Sequence, residues 1–84
     1  MSESAILTYH VDKVRSDAIM QMANERDFRE RLLVFPSADV RKKAQSMTSW
    51  LSKTKLRPIG LNLKTKTGNE DNTLLIVLEE YNNG

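Results

Sequence analysis

Arg29-Glu30-Arg31-Leu32-Leu33-Val34-Phe35 (RERLLVF) fits both a helix and a strand, and the choice sets the fold of everything around it. As helix, the stretch puts Phe28, Leu32 and Phe35 on one face, with Asn24 and Asp27 available to cap it. As strand, Leu32 to Phe35 is a compact apolar run that Pro36 brings to an end. The spacing is read as helix over residues 26–33, with the strand as its alternative.

Towards the N-terminus the period is clearer. Val14, Ala18, Ile19, Met22 and Ala23 recur every three or four residues, which predicts an amphipathic helix from Lys13 to Glu25. Before it, Ala5 to Val11 (AILTYHV) alternates, with Leu7, Tyr9 and Val11 as the more apolar face, and predicts a strand.

Towards the C-terminus, Pro36 bars a continuing helix, Ser37 is a good N-cap, and Asp39 suits the positive end of the helix dipole. Val40, Ala44, Met47 and Leu51 then form one stripe of a helix over residues 37–53. Lys42, Gln45, Ser49 and Lys53 point away from that stripe, while Lys43 and Trp50 share a flank at the rim of the buried face. Pro58 is the expected stop. Ile59, Leu61 and Leu63 alternate with polar residues, and Thr67 to Asn72 makes a turn. Leu74 to Leu78, apolar on both faces, fits a central strand.

The expected fold is a single α+β domain over residues 1–84. Two to three helices pack on one face of a three-stranded antiparallel sheet with a C-terminal β-hairpin. The expected sheet order is N-terminal strand, last strand, Ile59 strand. With residues 26–34 helical, the element order matches that of a winged helix, an analogy at the level of fold. The acidic tip Asn69-Glu70-Asp71 and the strand before the first helix depart from that pattern.

Size and composition narrow the chemistry. A chain of 84 residues supports one core and no deep private cavity, and a homodimer would relieve the shortage of core. Without cysteine there is neither a disulfide nor thiolate chemistry nor cysteine-ligated zinc. Leu74 to Leu78 is the longest strongly apolar run, far short of a membrane span, and Met1-Ser2-Glu3-Ser4 has no signal-peptide character. The expected compartment is the cytosol, or the nucleus in a eukaryote. No enzyme constellation is present. His10 stands alone on a strand, the serines lack a nucleophile elbow, and three glycines form no phosphate-cradling loop. No catalytic residue, metal or cofactor is expected.

The charge is distributed unevenly. Val40 to Asn69 holds no acid, and the eight bases Arg41, Lys42, Lys43, Lys53, Lys55, Arg57, Lys64 and Lys66 fall within it. Residues 37–66 carry +7, the first 36 residues −1 and the last 18 residues −4. Interleaved Gln45, Ser49 and other short polar groups add hydrogen-bond donors beside those bases. The leading expectation is a small nucleic-acid-binding or transcription-regulating protein using this helix–loop–strand segment. Lys42, Lys53, Lys55 and Arg57 would contact phosphates, Gln45 would read a base, and Lys43 would support Trp50. Lys64 and Lys66 would extend the same face. The alternative partner for that patch is an acidic protein surface, the protein then being a small inhibitor or adaptor. A solvated face with lysines lying along it is the plain reading of the same residues.

Overall fold

The computed structural model describes residues 6–82. Eight segments follow in order: β1 (Leu7–His10), α1 (Ser16–Glu25), β2 (Arg31–Val34), α2 (Ala38–Leu51), a π-type turn (Ser52–Leu56), a 3-10 turn (Arg57–Ile59), β3 (Leu61–Thr67) and β4 (Thr73–Glu80). The four strands form one mixed sheet in the order β1-β2-β4-β3. β1 and β2 run parallel, and β4 is antiparallel to both of its neighbours.

The class, α+β with a C-terminal hairpin, agrees with the sequence. The three-stranded antiparallel sheet does not, because residues 31–34 are a strand lying between β1 and β4. Local chemistry explains the difference. Arg26 takes a left-handed conformation (φ 52°), and α1 ends there as the Arg26 and Asp27 amides donate to Ala23 and Met22. Asp27 then collects the side chains of both Arg29 and Arg31 and the amide of Arg29. Arg31 and Leu33 thereby face the core while Leu32 and Val34 face the other way, a two-residue period. With β2 a strand, the winged-helix element order is removed.

Boundaries move as well. α1 begins at Ser16 instead of Lys13, and β3 begins at Leu61 instead of Ile59. Ala5, the expected first strand residue, lies outside the described residues. Pro58 does not stop α2 cleanly. The backbone runs on through the π-type turn, where the Arg57 amide donates to the Ser52 carbonyl, and Pro58 sits inside the 3-10 turn that follows. Gly60 (φ 82°) then turns the chain into β3, a conformation that costs other residues about 1–2 kcal/mol.

One face of the sheet carries the core. Leu33, Leu74, Ile76, Leu78, Leu61 and Leu63 meet Ile19, Met22 and Ala23 of α1, and Ala44 and Leu51 of α2. Phe35 and Leu56 complete it. The opposite face, given by the register, presents Leu32, Val34, Leu75 and Val77, all half-buried, with Thr8 and His10 on β1 and Lys64 and Lys66 on β3. Among the described residues no helix covers that side.

Candidate nucleic-acid interface

Successive turns of α2 bury Arg41, Ala44, Thr48 and Leu51, so its opposite side is presented to solvent. Ser37 caps the helix through the Val40 amide, and Asp39 lies in its first turn. On the outer side Lys42, Gln45, Ser46, Ser49, Trp50 and Lys53 line one shallow depression. Trp50 is not the core-rim residue that the helical spacing predicts. It is 58% exposed, the most open of the large hydrophobic side chains. Both ion pairs of the described residues belong to Asp27, so the lysines on this face hold no carboxylate. An exposed indole, two ammonium groups and two serine hydroxyls on one depression offer a stacking plane, phosphate contacts and hydrogen bonds in one place.

Three residues of the expected site are employed elsewhere. Arg41 is buried, and donates from Nε to the Asp71 carbonyl (2.8 Å) and from Nη1 to Gln45 Oε1 (2.7 Å). It therefore ties α2 to the β3–β4 turn, and it occupies the amide oxygen with which Gln45 would read a base. Arg57 donates to Asn62 Oδ1 (3.2 Å) and lies over the Tyr81 ring, 4.9 Å from its centroid. Asn62 in turn accepts from Ser52 Oγ (2.8 Å) and donates to Glu79 (2.8 Å). That network joins the π-type turn to the edge of β3.

Lys43 and Lys55 are exposed next to the depression in sequence but do not line it. Lys64 and Lys66 alternate with buried Leu63 along β3, and so project from the open face of the sheet, on the side away from α2. The expectation that Lys64 and Lys66 extend the face of the α2 bases therefore fails. The +7 divides into an α2 group and a sheet group with the core between them.

Ser46, one of the short polar groups interleaved with the bases, falls on the same side as Lys42 and Ser49, whereas sequence reasoning missed the Asp27 cluster. The guanidinium groups of Arg29 and then Arg31, followed by the Arg29 amide, hold the Asp27 carboxyl well below the usual carboxylate range. The alternation of Asp27, Arg29 and Arg31 at every second residue is the signal that could have exposed both this cluster and the strand.

Among the described residues no helix is long and apolar enough to cross a membrane, and no group of three acidic or histidine residues is placed to hold a metal ion. Compared with known proteins, the chain matches no family model, no curated protein and no solved structure.

Proposed function

We propose that the outer face of α2 binds single-stranded nucleic acid. A base stacks on Trp50, and Lys42 and Lys53 neutralise flanking phosphates, with Lys43 and Lys55 adding to the field. The observation that carries this reading is the 58% exposed Trp50 in a depression shared with two unpaired lysines. Loss of the winged-helix order and the engagement of Gln45 by Arg41 both weigh against sequence reading in a major groove. They favour stacking, which tolerates any base.

Trp50 is the sole tryptophan, so its fluorescence reports this site alone. Titration with a mixed-sequence oligonucleotide should quench it. Two lysine contacts to a single strand give a salt slope near 1.4, so affinity should fall roughly sevenfold between 50 and 200 mM salt. Trp50→Ala, an exposed change, should weaken binding by about tenfold or more and leave the fold intact. Unchanged fluorescence at low salt with DNA and RNA alike would overturn the proposal.

The open face of the sheet favours a second reading, as a docking surface for an acidic amphipathic helix of a partner protein. Leu75 and Val77 there lie directly opposite Lys66 and Lys64 across the β3–β4 pair, so aliphatic and cationic groups are in register. A labelled acidic amphipathic peptide should bind, and Lys64→Glu with Lys66→Glu should abolish its binding. A charge-reversed peptide that binds as well would end this reading.

A further inference from the structure

α1 does not seal the sheet beneath it. Between the helix and the β1–β2 half of the core face lies an open-mouthed cleft of about 600 Å³, within the range of small-molecule sites. Its apolar walls include Val11, Ile19, Met22 and Leu33, and Arg31 stands among them. The Arg31 side chain is only 14% exposed. Its Nη2 donates to Asp27 (2.7 Å), but Nη1 is buried with no hydrogen-bond partner. A buried guanidinium N–H left unpaired is costly, and such a group calls for an acceptor.

Charge points the same way. Asp27 is the one carboxylate shared by Arg29 and Arg31, so this cluster retains a surplus of one positive charge. At the mouth the exposed Lys13 and Arg15 are offset by Asp12 and Glu25. The surplus is shared by Arg29, which is exposed and also feels Glu25, and Arg31, which is the one that stands among the apolar walls.

We infer that the cleft is a binding site for a small monocarboxylate with an apolar body, its carboxylate accepting from Arg31 and its tail lying between α1 and β2. Nη1 is closed off from water in the unliganded protein. Tyr9, 42% exposed, lines the cleft and lies diagonal to Arg31 on that face, and its displacement is the movement that would open Nη1 to a ligand. This site is separate from the α2 face and does not depend on nucleic-acid binding.

The test is a methyl and amide NMR titration of the intact protein with octanoate and, in parallel, octanol, both below micelle formation. Octanoate should give saturable shifts at Val11, Ile19 and Leu33, and octanol should bind about tenfold more weakly or worse. Arg31→Gln should bring octanoate down to the level of octanol. Should that variant fail to fold, Ala18→Trp fills the mouth from the exposed side of α1 and should abolish the shifts of both ligands. Equal affinity for acid and alcohol would overturn the inference. So would an absence of saturation, persistence of the shifts in Ala18→Trp, or shifts that map to Leu32, Leu75 and Val77 on the open face.

Discussion

Asp27 shows how one side chain can redirect a backbone. It lies just beyond the left-handed Arg26, its side chain is 9% exposed, and it gathers two guanidinium groups from the next four residues. Because its carboxyl is depressed in the folded protein, its contribution to stability is present above the ordinary carboxylate range and is lost as pH falls through the folded value. Asp27→Asn should therefore lower the urea midpoint at pH 7, and the gap to the parent protein should narrow steadily in acid. A gap unchanged down to pH 2 would show that the carboxylate charge is not what matters. At the preceding position, Arg26→Gly relieves a left-handed arginine at the cost of a more flexible unfolded chain. It should raise stability by about 0.5–1 kcal/mol, read by chemical denaturation.

Among the elements, α2 and β4 were legible in the sequence, while β2 was not. The apolar stripe of α2 and the Ser37 cap place Ala38–Leu51 close to the expected residues 37–53, because amphipathic periodicity over four turns is hard to mistake. β4 announced its central position by being apolar on both faces, and it does lie between β2 and β3. β2 has only four residues, too few for the local alternation from Asp27 to Arg31 to outweigh the helical spacing, and its identity rests on pairing with β1 and β4. The candidate site divides along the same line. Lys42, Ser49, Trp50 and Lys53 come together through helical spacing alone. Arg41 and Arg57 are drawn away by Asp71, Asn62 and Tyr81, partners supplied by the hairpin. The link from the π-type turn to β3 is equally non-local. Ser52 Oγ accepts from the buried Leu63 amide (2.8 Å) while donating to Asn62. Ser52→Ala leaves that amide without a partner and should cost about 1–3 kcal/mol. Amide exchange at Leu63 should accelerate more than at Leu78, and equal acceleration would point to a global effect instead. At the hairpin tip a side chain on Gly68 would run into Thr73, which fixes a glycine there.

For the whole molecule, the separation of charge by the sheet matters more than the net +2. Lysines on α2 and lysines on β3 look outward in opposite directions, so one flat ligand cannot engage both. Lys42→Glu with Lys53→Glu should abolish oligonucleotide binding, while Lys64→Glu with Lys66→Glu should change it by less than about threefold through long-range field alone. Filter binding at 50 mM salt separates these outcomes, and equal losses from both pairs would mean that the strand wraps around the domain. The sheet order also carries a consequence in time. β2 is made early, yet its neighbour β4 is made only after α2, the two turns and β3. A ribosome-bound chain must therefore carry β1 and β2 unclosed until β4 has been made. Translation halted at successive lengths should show no compact, protease-resistant species until Thr73–Glu80 has cleared the exit tunnel. The parallel pair at the front of the chain has to wait for the strand at its back.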